Sequence, residues 1–157
     1  MHFEKIHNKG QAQLFQNPYL EILTKTHPLV IWGMYLPIII GFPWYASGKF
    51  SFNALTIAAV FAAGMFFWTF FEYIMHRFVF HMVAESERAR KIIYVMHGNH
   101  HHFPRDKERL FMPPVPSLII SSLIFLIMYL FIGNYVFLFF PGFMLGYLMY
   151  GTIHYAI

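Results

Sequence analysis

The stretch ALTIAAVFAAGMFFWTFFEYIMHRFVFH, residues 54–81, decides the fold. Its apolar run extends from about Ala54 to Phe71 without a charge, within the ~17–25 residues that cross a hydrocarbon core as a helix. A soluble helix carries a polar stripe along its length. Here polarity waits until the run is over, at Glu72, His76, Arg77 and His81. The stretch reads as a span that delivers imidazoles to a bilayer surface, and ionisable residues so placed imply a function.

Three further apolar stretches follow the same rule. They run from about 29 to 45, from about 115 to 132 and from about 135 to 150. With 54–71 they make four predicted transmembrane helices. The first contains Pro37 and Pro43; the fourth is short and contains Pro141, Gly142 and Gly146, so a kink, a tilt or a continuation past Thr152 is expected. Gly133 and Asn134 provide a tight turn between the last two, which read as a helical hairpin. The 157 residues are 58% hydrophobic and 11% charged, against ~25% charged in soluble proteins, so a soluble all-α bundle is the weaker reading. One membrane-embedded domain over residues 1–157 is expected. Residues 1–27 lack the apolar core of a signal peptide. A short amphipathic stretch with Leu14, Phe15 and Tyr19 suits the membrane surface.

Charge sets the orientation. Lys49 is the one basic residue between the first and second stretches, and none lies between the third and fourth. Lys5, Lys9 and Lys25 precede the first; Arg77, Arg88, Arg90, Lys91, Arg105, Lys107 and Arg109 lie between the second and third. Positive residues stay inside, which predicts that the N-terminus and residues 72–114 face the cytoplasm. Four spans return Tyr150 to that side. The net charge of +4 forms no nucleic-acid stripe, and no nucleic-acid partner is expected.

The histidines gather where these spans end. HRFVFH places His76 and His81 in H-x4-H, HGNHH places His97, His100 and His101 in H-x2-H-H, and His154 ends the last apolar run. Residues 72–102 read as largely helical. On one helical turn His97, His100 and His101 share a face. His76 and His81 are five apart, ~140° round an ideal helix, and diverge unless the helix is distorted or they serve different ions. Five imidazoles in 26 residues exceed the needs of one metal, which favours two. Cysteine is absent, so ligation falls to nitrogen and oxygen. Glu72, Asp106 and Glu108 are candidates to accept the ligands' other N–H groups. His2, His7 and His27 read as solvated side chains, and His102 as a neighbour of ligands.

The motifs EYIMHRFVFH (72–81), HGNHHHFPRDKERLFMPP (97–114) and GYLMYGTIHY (146–155) together resemble the fatty acid 2-hydroxylase branch of the sterol desaturase/fatty acid hydroxylase superfamily. The resemblance covers roughly residues 66–157. Its second motif is specific, including Pro104, Asp106, Arg109, Leu110, Pro113 and Pro114; H-x4-H alone is shared with desaturases and carotene hydroxylases. The resemblance implies an all-α integral membrane protein with four spans in two hairpins under a cytoplasmic, helical, His-rich cap. It implies a di-metal monooxygenase of the non-haem iron type that hydroxylates a long acyl chain at its 2-position, as in fatty acid and sphingolipid metabolism. Its implied metal ligands here are His76, His81, His97, His100, His101 and His154. Two metal ions are expected, iron for activity with zinc possible after purification, together with dioxygen, a bilayer-borne acyl lipid and electrons from a separate protein.

Two departures from the family pattern stand out. Gly151 follows Tyr150 where many members carry Asp. The pattern also continues past its H-Y with another His and an H-x2-H-H block, so further ligands are expected beyond Ile157 and the C-terminal part of the cap is expected to be missing from this chain. Within the superfamily, a sterol, carotenoid or alkane hydroxylase or desaturase is the alternative. Outside it, the alternative is a non-catalytic membrane metal-binding or transport protein, which places its ligands near the bilayer midplane; no His, Asp or Glu lies inside the four stretches.

Overall fold

The computed structural model of the chain describes residue 7, residues 10–80, residue 82 and residues 86–156, with side chains except those of Met96, His97, His100 and Tyr155. These residues are helical without strands. In chain order they form α1 (Pro18–Leu23), α2 (Pro28–Lys49), α3 (Ala54–Ile74), α4 (Glu87–Ile93), α5 (Asn99–His102), α6 (Pro114–Ile132) and α7 (Val136–Ala156). A π-helical turn, Met75–Phe80, extends α3, and a second, Tyr94–Gly98, joins α4 to α5.

Three stretches are long and apolar enough to cross a membrane: Pro28–Lys49, Ala54–Phe80 and Lys107–His154. The last is 48 residues long and folds back on itself. Gly133 makes the reversal at φ 54 and ψ −134, a left-handed conformation that glycine adopts without steric cost. Phe125 of α6 then meets Phe137 and Phe140 of α7, with ring centroids 5.7 and 5.3 Å apart. The helical hairpin expected from Gly133 and Asn134 is present. At 1.5 Å per residue the 19 to 22 residues of α2, α3, α6 and α7 extend ~28–33 Å, about one hydrocarbon core.

Helix α7 is the centre of the bundle. Val136, Leu138, Phe140, Phe143, Met144 and Leu148 are buried along it. Helix α2 buries Ile31, Tyr35 and Ile39, one turn apart on one face. Helix α3 lies closest of all, because glycines replace side chains at the contact. A Cβ on Gly64 would overlap the Phe139 carbonyl oxygen, and one on Gly142 the Phe61 carbonyl oxygen. Gly146, one turn on, faces Met65 and Trp68. Small residues four apart let two membrane helices touch backbone to backbone. The fourth apolar stretch is therefore rich in glycine for packing, and it continues as helix past Thr152 to Ala156.

The outer surface is as apolar as the core. Trp44, Leu55, Leu130 and Phe131 are among the most exposed side chains. In water such a surface would be a large liability; facing acyl chains it is the expected one. Inside, Tyr35 Oη lies 2.6 Å from Ser117 Oγ and donates to Ser121 Oγ at 3.1 Å, tying α2 to α6. Polar contacts of this kind hold spans together where no hydrophobic force does.

The segment after α3 is helical in pieces. Helix runs through Phe80 and restarts at Glu87, where Ser86 accepts a hydrogen bond from the Ala89 N–H at 3.2 Å. Ser followed by Glu is a helix-start signal, so this second beginning was legible in AESERARK. The reading of residues 72–102 as largely helical holds with that interruption.

Candidate metal centre

Two elements from opposite sides of the interruption bring their imidazoles together. His76 lies in the π-turn at the end of α3 and His101 lies in α5. Their ring centroids are 6.0 Å apart at 65°. Metal–nitrogen bonds of about 2.0–2.1 Å, with the radius of a ring on each side, let two imidazoles at this separation face one ion. The donor set, all imidazole with nearby carboxylate, fits iron or zinc.

Local backbone chemistry explains the approach. In a π-helix each N–H bonds five residues back, so residues five apart come near to stacking. The turn Met75–Phe80, which carries His76, is a distortion of the kind the H-x4-H spacing asks for. His81, the residue after it, lies outside the described residues. The second π-turn, Tyr94–Gly98, carries His97, and the α-helical turn that follows carries His100 and His101. The described structure places the backbones of His97 and His100 in these turns and does not extend to their side chains. Among the described side chains, no three His, Asp or Glu converge on one point.

Asn99 supports the change from π to α. Its side chain is buried and donates to the carbonyl oxygens of Tyr94 at 3.2 Å and Val95 at 2.8 Å. The sequence reading passed over this residue, an unassigned position in H-x2-H-H. Replacing it with Ala removes two part-buried hydrogen bonds, each worth ~0.5–1.5 kcal/mol. Asn99→Ala is expected to lower the melting temperature and the metal bound per chain together. A variant with native melting and native metal content would show that the turn does not need this support.

Glu72, one turn before His76, comes within 3.8 Å of its Nδ1, longer than a hydrogen bond. Tyr150, near the end of α7, lines the same cleft as Glu72, so the ends of α3 and α7 face each other across it. Thr69, Glu72, Tyr73, His76, Arg77 and Tyr150 line a cleft of about 500 Å³ there. Arg77 donates to Tyr73 Oη and lies 5.5 Å from the Phe78 ring centre. His154, four residues beyond Tyr150, stacks on it with centroids 5.7 Å apart. Tyr150 thus stacks on His154 while lining the cleft that Glu72 and His76 also line.

The other two carboxylates have partners of their own among the described residues. Asp106 binds Arg109 at 3.0 Å and accepts from Gln11 at 3.2 Å, while Glu108 accepts from Gln11 at 2.7 Å. Both are engaged by the N-terminal segment, where sequence reading had offered them as histidine partners. His102 meets the edge of Tyr94 at 5.3 Å, and its carbonyl accepts from the His7 N–H at 2.8 Å. Two histidines read as solvated have structural contacts: His7 stacks on Phe103 at 5.2 Å, and His27 caps α2 by accepting the Leu29 N–H at 3.3 Å. Gly151, the departure from the family pattern, has a cause in packing. A Cβ there would overlap the ring of Phe111, which is buried and packs against Tyr147 at 5.3 Å.

Comparison with known proteins shows the family and the fold. Residues 61–157 match the family model described as fatty acid hydroxylase. The chain is 34% identical to a ceramide very long chain fatty acid hydroxylase of Saccharomyces cerevisiae, over all of this chain and 41% of that protein. It is 34% identical to a dihydroceramide fatty acyl 2-hydroxylase of Arabidopsis thaliana, over 98% of this chain and 65% of the relative. It is 33% identical to the fatty acid 2-hydroxylase of Homo sapiens, over 92% of this chain and 44% of the relative. The solved structure of full-length scs7p, with only its hydroxylase domain visible, superposes at a TM-score of 0.83 and 34% identity, covering 94% of this chain and 56% of that one. The chain thus spans from about two fifths to two thirds of the length of these relatives.

Proposed function

The chain belongs to the fatty acid hydroxylase family, and from that premise we propose that it serves 2-hydroxylation of a long acyl chain in a membrane lipid. The observation that carries the proposal is the meeting of His76 and His101 beside the cleft at the end of the bundle. Two segments 25 positions apart contribute one imidazole each, at the boundary between an apolar helix and a charged segment.

In this reading His76, His81, His97, His100, His101 and His154 hold two metal ions, iron in the active protein. The bound metals supply activation of dioxygen for attack on a C–H bond that no side chain can break. A separate protein supplies electrons. The chain's own residues position the substrate. An acyl tail lies against the lipid-facing sides of α3 and α7, and its carbonyl end reaches the cleft lined by Glu72, His76, Arg77 and Tyr150. Water is kept from the tail by the apolar flanks of that cleft. The relatives' names, which specify ceramide, dihydroceramide and fatty acid, support an acyl lipid over a sterol or carotenoid.

The proposal includes four spans, α2, α3, α6 and α7, with both ends of the bundle's His-rich side in the cytoplasm. The basic residues support that orientation. Cysteine substitution tests it cleanly, because the chain has no Cys. Arg88 is exposed on α4, and replacing it spares the Ser86 cap. A Cys at position 88 is expected to be protected from an impermeant thiol reagent in intact cells, and one at position 49 to react. The reverse pattern would invert the orientation.

The function is tested by supplying membranes containing the protein with reductant, dioxygen and long-chain acyl lipids, followed by mass spectrometry of the hydrolysed acids. A 2-hydroxy acid that disappears in His76→Ala is the expected product. Hydroxylation at another carbon, or turnover of a sterol alone, would overturn the assignment.

A further inference from the structure

The short helix α1 has two unlike faces. Its outward side carries Tyr19, Leu20, Ile22 and Leu23, which are 78%, 47%, 68% and 69% exposed. Its inward side carries Glu21, which accepts the N–H groups of Leu14 at 3.0 Å and Phe15 at 2.9 Å and forms an ion pair with Arg109. Arg109 is buried and also binds Asp106. Around this pair Lys25 donates to Gln11 at 2.6 Å, and the Thr26 N–H donates to the Glu108 carbonyl at 2.7 Å. Partial burial pushes the Glu21 carboxyl up, but the two backbone N–H groups and the Arg109 guanidinium outweigh it and hold it below the usual range. Rotating α1 to hide its apolar face would break the bonds that Glu21 makes to Leu14, Phe15 and Arg109.

We infer that α1 is an interfacial membrane anchor, its outward face resting in the head-group layer of the bilayer, and that the Glu21–Arg109 pair holds the loop after the histidine turns at that height. The inference rests on the proposal that α2 crosses the bilayer. Four residues separate Leu23 from Pro28, the first residue of α2, so α1 lies within ~18 Å of the start of that span. Leu29 and Val30, in the first turn of α2, are exposed as well. An amphipathic helix with an aromatic residue beside aliphatic ones suits the interface plane. Arg109 follows His101 by eight residues, and the same loop is bonded at Phe103 and Glu108 to the N-terminal segment. The anchor therefore braces the loop that leaves the candidate metal centre.

The absence of Cys allows single nitroxide labels. Labels at positions 22 and 23 are compared, in phosphatidylcholine vesicles, with one at exposed Ile40 in α2 and one at exposed Arg88 in α4. Collision with dioxygen reports lipid, and collision with chromium oxalate reports water. The expected oxygen-to-chromium ratio at 22 and 23 is several-fold above that at 88. A ratio equal to that at 88 overturns the anchor, as does dipolar broadening between labels at 22, which would place a second copy of the chain on this face. A ratio at 40 equal to that at 88 would instead remove the span reading beneath it. In the second arm, Glu21→Gln is expected to raise the mobility of a label at exposed Arg105, with Glu21→Asp restoring it and the label at 40 unchanged. An unmoved label at 105 overturns the brace.

Discussion

Replacing His101 with Ala is expected to abolish 2-hydroxy acid formation and to lower the metal bound per chain. His101 is the described imidazole that faces His76, at 6.0 Å. A first-coordination nitrogen is replaced poorly by water, whereas a partner of a ligand costs ~10–100-fold in affinity or activity. His97→Ala and His100→Ala are expected to behave as His101→Ala does, because they occupy the two turns that lead into it. His102→Ala is the graded control. Its ring meets Tyr94 and its carbonyl serves His7, so its loss is expected to fall in the lesser range. His27→Ala is expected to leave metal and product unchanged while costing ~0.5–2 kcal/mol of stability, since His27 caps α2. Metal per protein and product are both measured, so that a misfolded variant is told from an emptied site. Native metal and native product in His101→Ala would remove this turn from the centre.

The second large effect is structural. Gly142→Ala is expected to lower stability by ~3 kcal/mol or more, at the upper end of overpacking costs. The new methyl group would occupy the position of the Phe61 carbonyl oxygen, so α3 and α7 must move apart along their contact. Gly64→Ala is expected to match it, being the reciprocal contact against Phe139. Gly41→Ala is the contrast. Nothing lies within 4 Å of its new Cβ, and the substitution is expected to stabilise α2 by up to ~1 kcal/mol through helix propensity. Thermal unfolding in one detergent compares all three. Equal melting of Gly142→Ala and Gly41→Ala would mean that the close α3–α7 contact is not formed. Because the cleft beside His76 is lined by both α3 and α7 beyond that contact, a lesion at Gly142 should also reduce metal binding without touching a ligand.

The four apolar helices, the turn at Gly133 and the location of the histidines at the helix ends were legible along the chain alone. Those features are one-dimensional: burial in lipid depends on composition along a stretch, and a reversal needs a residue free to adopt positive φ. The sequence also determined the family, because three motifs recur in order with fixed internal spacing. The sequence flagged the five-residue spacing of His76 and His81 as a problem for an ideal helix, and the π-turn Met75–Phe80 is the kind of distortion that spacing required.

Only the tertiary structure decided which partner each polar group took. Glu72, Asp106 and Glu108 are equivalent as letters near histidines, yet Glu72 lines the cleft beside His76 while the others are engaged by Gln11, Lys25 and Arg109. Hydrogen bonding is decided within about 3 Å, and the segments concerned are separated by some 80 to 100 positions in the chain. The role of Asn99 was hidden because its side chain bonds to carbonyls four and five residues back where the helix changes type, which no residue pattern announces. Gly142 and Gly146 read as weak points in a helix until α3 was laid against them. A missing side chain becomes a contact only when the neighbouring backbone is there to fill the space.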